Sequence, residues 1–572
     1  MRAFLLPVFL ALALLAASLL GYPAAQSLAD RLAADGTLEL YTSAVHAALA
    51  WALRAVALAL FAFGLALRRG WHPPRPDWKT GAAPLLALLR FAADERRFAL
   101  ALLAVTLAGA LGRALLLTQA LGHDEAYSYI AFASRPLRYV LTDYHLPNNH
   151  VLHTALMFFS TRLFGDAPWA LRLPAYLAGV ALIPLAYLAG RAFYGRAAGL
   201  LAAAFTAALP VLVDFSVDAR GYTLMAVFAL LALLTAEAQR REPTVLGWLL
   251  LAVWFGLGLY TLPIMLLPMA LLAGWWGLAW LAADVGGARR GRDLLGLAAA
   301  GLGGLALMLL LYSPIYIFGT SFDSVFFNRF VRPLPPDEFL PTLAIRLAQT
   351  RTMWTFDLWP LDLLLAGGFV LSMLFHWRSG RGRVPVQAGL LVMAAFMVAR
   401  GLAPLPRNWV FFAPFVLLWA AAGWAALGGW ALARRAVWGP RLLAVAVAAV
   451  ALGGLAVSAA TARQRLATPG LEERLAIYLL AMEDVPGRVL TTSPLRAPLT
   501  YYLGRRGGEA EDYLYTEGDL VDWALVVVNT QNETLASDAE KHGWAQWLDL
   551  PAAQLLYTTG PAEVWRVPTR AP

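Results

Sequence analysis

Stretches of roughly 18 to 24 residues with almost no charge recur along this chain, and each matches the roughly 20 residues that carry a helix across a bilayer. A backbone in lipid has to satisfy its own polar groups, so stretches of this kind fold as helices. About thirteen are predicted, near 3–21, 44–67, 97–118, 168–190, 197–215, 220–238, 245–262, 263–282, 295–318, 353–376, 385–402, 409–432 and 442–460. Composition agrees, with 60% hydrophobic and only 14% charged residues, where soluble domains carry about 25% charged. The chain reads as an α-helical polytopic membrane protein, and a string of soluble domains is excluded.

The net charge of +9 does not indicate nucleic acid. Only two of the 45 basic residues are lysines, Lys79 and Lys541, and the arginines cluster in short loops between apolar runs. Those loops alternate. Arg68 and Arg69 with Arg96 and Arg97, then Arg191 with Arg196, Arg240 with Arg241, and Arg289, Arg290 and Arg292 fall on one side. Arg378, Arg381 and Arg383, then Arg434, Arg435 and Arg441, complete the set. By the positive-inside rule these loops are cytoplasmic. The alternation requires that the 14 residues Val151–Phe164 do not span but lie along the outer interface. The N-terminus is then cytoplasmic and the C-terminus extracytoplasmic. The first run also fits a secretory signal, with small residues after Tyr22 as a cleavage site; the second span that follows directly favours an uncleaved segment. The absence of cysteine excludes disulfides, thiolate metal sites and cysteine nucleophiles.

Three regions follow: a two-helix extension and cytoplasmic linker at 1–96, a transmembrane catalytic domain at 97–460, and a small extracytoplasmic α/β domain at 461–572. In the last, strands are predicted at 488–492, 523–529 and 554–567, with helical pieces at 495–503 and 538–547.

Polar residues that a membrane protein keeps near its spans are the informative ones. Asp124 and Glu125 sit in Gly122-His-Asp-Glu-Ala-Tyr-Ser128, just past the third span, and Asp143, His145, Asn149, His150 and His153 follow. Two carboxylates with histidines and amides suit a general base and ligands for a divalent cation; a solvated loop has the same composition. Asp218, Arg220, Gly221 and Tyr222 form a second cluster, where Gly221 serves a tight reversal and Arg220 an interfacial anchor on the plainer reading. Arg407, in Pro404-Leu-Pro-Arg407-Asn-Trp409, suits a phosphate through its planar fork or snorkels to the headgroups. The topology puts all three clusters on one side. The long outer loop adds Asp323, Asn328, Arg329 and Arg332, with aromatic residues Phe322, Phe326, Phe327 and Phe330.

The acidic pair after an inside-to-outside span resembles the GT-C superfamily of polyprenyl-phosphate-sugar-dependent glycosyltransferases. So do Pro147-Asn-Asn-His-Val-Leu-His153, Leu163-Phe-Gly-Asp-Ala-Pro-Trp-Ala-Leu-Arg172-Leu-Pro174, Arg191-Ala-Phe-Tyr-Gly-Arg196 and Asp218-Ala-Arg-Gly-Tyr222. The similarity is to the protein O-mannosyltransferase and aminoarabinose transferase branch, strongest over 121–237 with a weaker echo at Arg407. It implies a GT-C-like fold, a lipid-linked sugar as donor, and a lipid, glycan or protein as acceptor. It also implies Asp124 as general base with Glu125 supporting it or binding a metal, and direct displacement with inversion. His145, Asn149, His150, Asp218, Arg220, Tyr222 and Arg407 are the implied substrate-binding residues. Relatives often carry an acidic residue shortly after the second cluster's arginine, where this chain has Tyr222, so a divalent metal cation is left uncommitted.

A transporter or flippase is the alternative from another class. The near absence of ionisable residues within the spans, and of an inverted repeat, counts against it. A polysaccharide polymerase or ligase shares the donor type but favours arginines and histidines over a key Asp-Glu pair.

Overall fold

The computed structural model describes residues 5–32, 41–68, 95–282, 290–318, 333–376, 384–432, 438–482, 489–508, 513–514, 522–531 and 533–570. The loop candidates Asp323, Asn328, Arg329 and Arg332, with Phe322, Phe326, Phe327 and Phe330, fall outside these residues, as do Arg69, Lys79, Arg289, Arg378, Arg381, Arg383, Arg434 and Arg435.

Each of the thirteen apolar stretches contains helix. By length and apolarity, however, eight of the described helices can cross a membrane, or up to eleven if each of three bent pairs is one span. The remaining two, Val245–Thr261 and Val386–Ala399, are shorter. One bend has a clear cause. Pro210 has no N–H to return to the Thr206 carbonyl, and Arg196–Ala208 meets Pro210–Ser216 at 61°. Arg113, wholly buried in helix Arg96–Ala114, repairs the break by donating to the Thr206 and Ala207 carbonyls at 3.0 Å each and to Ser216 Oγ at 3.0 Å. A second bend, of 105°, joins Pro336–Thr355 to Trp359–Leu374, with Phe356 and Asp357 both left-handed. Helix Pro336–Thr355 fills part of what the sequence reads as a loop, although Pro336 at the first position with Asp337 and Glu338 behind it is an N-terminal signature.

Helix Arg96–Ala114 illustrates the lipid-facing pattern. Leu100, Leu103, Leu107 and Leu111, at three- and four-residue spacing, are all more than half exposed, while Leu102, Val105, Gly109 and Gly112 are buried against neighbouring helices. Helices Pro168–Tyr194 and Arg196–Ala208 pack backbone against backbone. A Cβ on Gly190 would stand 2.5 Å from the Gly199 Cα, so only glycine fits there.

Among the described residues, four of the arginines used for topology pair with two buried glutamates. Glu95 pairs with Arg191 and Arg196 at 2.8 Å each, Glu237 with Arg240 and Arg241 at 2.8 Å each, and Arg241 also reaches the Ala192 carbonyl at 2.5 Å.

The C-terminal α/β unit follows in the chain. Helix Trp438–Leu466 runs through 461 without a break, and helix Leu471–Leu480 follows. The sheet has the order β1-β2-β4-β3, with β1 (Val489–Thr491) parallel to β2 (Trp523–Asn529) and the other pairs antiparallel. The predicted strand at 554–567 is two strands, β3 (Gln554–Thr559) and β4 (Ala562–Pro568), which reverse at Gly560, φ +55°. Leu525 and Val527 of β2 face a cluster that includes Leu121, Ala126, Met157 and Leu171 of the membrane region. Ala524, Val526 and Val528 face the opposite layer with Leu548. Burial on both faces explains the unbroken apolar run. Tyr502 Oη accepts from the Leu121 N–H at 3.0 Å, and Arg505 pairs with Asp166 at 2.6 Å. The α/β unit therefore rests on the segment that carries Asp124.

Candidate active site

Asp124 and Glu125 occupy the first turn of a short helix, His123–Ser128. Successive helical residues point about 100° apart, so the two carboxylates diverge. Glu125 turns inward, where Arg172 meets it in a parallel fork, Nε to Oε1 and Nη2 to Oε2 at 2.7 Å each. The Gly122 N–H donates to Oε2 at 2.9 Å and the Ala219 N–H to Oε1 at 2.8 Å. Four donors fill the carboxylate's four lone-pair directions. Arg172, wholly buried, spends its remaining N–H groups on the carbonyls of Leu117, Gln119 and Ala120 at 2.6–2.9 Å. This clamp fixes three segments, 117–122, Arg172 and Ala219, around one carboxylate. The Glu125 oxygens are thus committed to holding Arg172 and the backbone at Gly122 and Ala219.

Asp124 turns the other way and remains about a third exposed, 37%. Its Oδ2 lies 3.0 Å from Arg407 Nη1 and 3.7 Å from Arg220 Nη2. Three clusters separated by up to 283 positions thus meet at one oxygen. The contact borders a cavity of about 710 Å³. Its polar wall holds His123, Asp124, Asn148, His150, Arg220, Tyr222 and Arg407; Leu259, Ile264, Leu305, Met308 and Phe396 make the apolar side. Ser493, Arg496 and Thr500 of the α/β unit close it from above. Arg400 adds another guanidinium to the wall.

Arg220 is held as firmly as Arg172. Its Nη1 donates to the Asn148 side-chain oxygen and, at 3.2 Å, to the Asn148 carbonyl, and its Nη2 lies 3.1 Å from His150 Nε2. The Gly221 N–H donates to His150 Nδ1 at 2.9 Å. A neutral imidazole accepts at only one of these two nitrogens, and burial together with the Arg220 charge holds the ring's pKa well below the usual range. His150 is a neutral positioning group. Gly221 has an ordinary φ of −78°, so it does not provide a left-handed reversal; a Cβ there would stand 2.7 Å from Thr261 Cγ2 and 3.3 Å from His150. Close approach is what requires glycine. Tyr222 stacks edge-on against His150 at 5.1 Å and lines the cavity.

Other predicted residues fall differently. Asn149 is buried and donates to the Val140 and Asp143 carbonyls at 2.9 Å each, so it ties the loop together, and its neighbour Asn148 faces the cavity. His145 is outside the cavity lining, bonded to Asp143 and to Tyr127, which does line it. Asp218 lies on the other flank of Asp124, in a second pocket of about 600 Å³ that also holds Asp214 and Arg465. Burial and the Glu125 charge push its pKa up to about 8, against the pull of Arg220 and Arg172. His153 is wholly buried with no hydrogen bond on either nitrogen among the described residues, and burial brings its pKa down to about 3. Among those residues no three His, Asp or Glu ligand atoms converge at Asp124; the one such group is Glu533, Asp538 and His542 in the α/β unit.

Sequence reasoning missed Asn148, Arg496 and the function of Arg172. An arginine inside an apolar span was the available signal for the last, since such a charge persists in a membrane only with committed partners.

A family model described as dolichyl-phosphate-mannose-protein mannosyltransferase matches residues 149–318, which include His150, Arg172, Asp218, Arg220 and Tyr222 but neither Asp124 nor Arg407. In three dimensions the chain is similar to ArnT from Cupriavidus metallidurans bound to undecaprenyl phosphate, with 15% identity over 83% of this chain and 98% of that one and a TM-score of 0.53. The apo state of that protein gives 14% identity, the same coverage and a TM-score of 0.53. Weaker similarity, with a TM-score of 0.44 and 14% identity over 70% of this chain and 59% of that one, is found to the oligosaccharyltransferase AglB from Archaeoglobus fulgidus in complex with an inhibitory peptide and a dolichol-phosphate. No curated protein matches by sequence. At these identities the likeness is one of fold.

Proposed function

We propose that the protein is a membrane glycosyltransferase that moves a sugar from a polyprenyl-phosphate donor to an acceptor hydroxyl, with inversion and with Asp124 as general base. The observation that carries this reading is a partly exposed carboxylate at the junction of two pockets, paired with Arg407 and approached by Arg220. The apolar side of the 710 Å³ cavity suits the first units of a lipid chain, and its arginines suit the phosphate. The acceptor enters by the Asp218 pocket.

The acceptor oxygen attacks the anomeric carbon as Asp124 takes its proton, and the carbon–oxygen bond to phosphate breaks with its electron pair on the phosphate oxygen. The donor is a phosphodiester and the released lipid phosphate a monoester, so negative charge grows on the leaving group. Arg407 shifts from Asp124 to that phosphate when the donor binds, which frees the carboxylate to act as base and supplies charge where it develops. Arg220, held by Asn148, provides a second fixed guanidinium. Backside attack inverts the centre. No metal enters these steps, because the ligand set around Asp124 does not fit one: Glu125 is saturated by its four donors.

A transporter is disfavoured by the same geometry, since Arg113 and Arg172 are spent on carbonyls and a carboxylate and do not line a path. The Asp124 end is assigned to the extracytoplasmic face, with the N-terminus cytoplasmic. The chain has no cysteine, so single cysteines at His123 and at Arg240 give a clean test: an impermeant thiol reagent should reach the first and not the second. The reading as a whole is tested by supplying purified protein with polyprenyl-phosphate sugars and hydroxyl acceptors. Release of polyprenyl phosphate with a product inverted at the anomeric carbon supports it; a retained configuration, or no release with any donor, overturns it.

A further inference from the structure

Away from Asp124, the α/β unit holds a cluster that the transfer reaction does not use. Glu533 follows β2, Asp538 lies in helix Leu535–Lys541, and His542 caps that helix one turn later. One ligand atom from each lies within 4.8 Å of the others. We propose that Glu533, Asp538 and His542 bind a divalent transition-metal cation of the zinc class, with a water in the fourth position.

Three features beyond proximity carry this. Asp538 is 1% exposed, yet its Oδ1 has no hydrogen-bond partner among the described residues. A buried carboxylate oxygen without a donor costs free energy unless something positive faces it. That oxygen stands 3.5 Å from His542 Nε2, beyond hydrogen-bond range but close to the roughly 3.3 Å that separates two ligands of a tetrahedral zinc ion at its usual bond lengths. The neighbouring groups hold the other carboxyl oxygens: Thr492 donates to Asp538, and Lys541 is bonded to Glu533 Oε1.

The position in the fold agrees. Thr492 directly follows β1 and Glu533 follows β2, so the cluster lies at the carboxyl ends of the parallel pair, where open α/β sheets place their ligands. The site is also mechanically linked to the cavity, since Thr492 is followed by Ser493, whose hydroxyl lies 3.2 Å from His123 Nε2.

The test uses the full chain in detergent, stripped with a chelator and titrated with Co²⁺ as a spectroscopic stand-in for zinc, with Zn²⁺ as competitor. One tightly bound Co²⁺ per chain with the strong visible absorption of a tetrahedral centre is expected, displaced by one equivalent of Zn²⁺. Outer-shell changes alone weaken metal sites about 10–100-fold, so loss of a ligand in His542→Ala or Asp538→Asn should weaken binding by more than about 100-fold. His542 is partly exposed, so its variant tests the site even if the Asp538 variant does not fold. An absent tetrahedral spectrum, or unchanged affinity in His542→Ala, overturns the proposal.

Discussion

Two adjacent carboxylates with opposite tasks make a sharp prediction, and Glu125 is the one whose removal should cost the fold. Glu125→Gln keeps the shape of the side chain but deletes the carboxylate paired with the wholly buried Arg172. It also replaces one acceptor oxygen with an NH₂ that points at an N–H donor, whichever way the amide sits. Breaking one side of a buried ion pair costs about 3–5 kcal/mol. The three hydrogen bonds of Arg172 to backbone carbonyls stay in place, which puts the expectation at the lower end, about 3 kcal/mol. Unfolding of the detergent-solubilised protein, followed by denaturant or by heating with recovery of monodisperse material, is the assay. Glu125→Gln should be clearly destabilised and Asp124→Asn, at a partly exposed position, nearly unchanged. The double variant Glu125→Gln/Arg172→Met should lose less than the sum of its singles, by about 0.5–3 kcal/mol of coupling. If Glu125→Gln is as stable as the wild type while Asp124→Asn is not, the clamp is misassigned and the division of labour between the two residues fails.

Arg407→Ala should weaken binding of a polyprenyl-phosphate donor several-fold more than binding of acceptor, checked by separate titrations; equal effects would remove it from the phosphate. His153 supplies a pH signature. Its folded pKa of about 3 lies below the unfolded value of about 6.5, so the unfolded chain alone takes up its proton as pH falls below 6.5. Its part in stability is flat above that pH and declines by about 3 kcal/mol by pH 4.5. Asp218, raised to about 8, has the opposite slope. The comparison of wild type with His153→Leu isolates the histidine: the variant should lack that decline, and parallel stability curves would refute it.

Much of the architecture was legible because lipid leaves a chain few options. Each predicted apolar stretch contains helix, although helix Pro336–Thr355 starts in what reads as a loop, and of the arginines that marked loops Arg191, Arg196, Arg240 and Arg241 pair with Glu95 and Glu237. The thirteen-span tally is not confirmed, since eight to eleven of the described helices are long and apolar enough to cross and Pro210 and the left-handed Phe356 break stretches that hydropathy reads as continuous or simple. At the site, the direction of each side chain was not legible. Asp124, Arg220 and Arg407 meet at one oxygen as the topology required. Which of Asp124 and Glu125, or of Asn148 and Asn149, faces the cavity depends on a helical rotation and a loop turn that no single sequence encodes in its composition. Arg172 was visible as an anomaly, a charge in an apolar span, and only its partner gave it meaning.

The central claim is that Asp124 takes the acceptor proton while the arginines hold the donor phosphate. It is tested most directly by measuring donor binding and single-turnover transfer side by side in Asp124→Asn. Donor affinity within a few-fold of wild type, or tighter because Arg407 is released, with transfer lost by about 100-fold or more is the predicted result. Transfer at a rate near that of the wild type would contradict it.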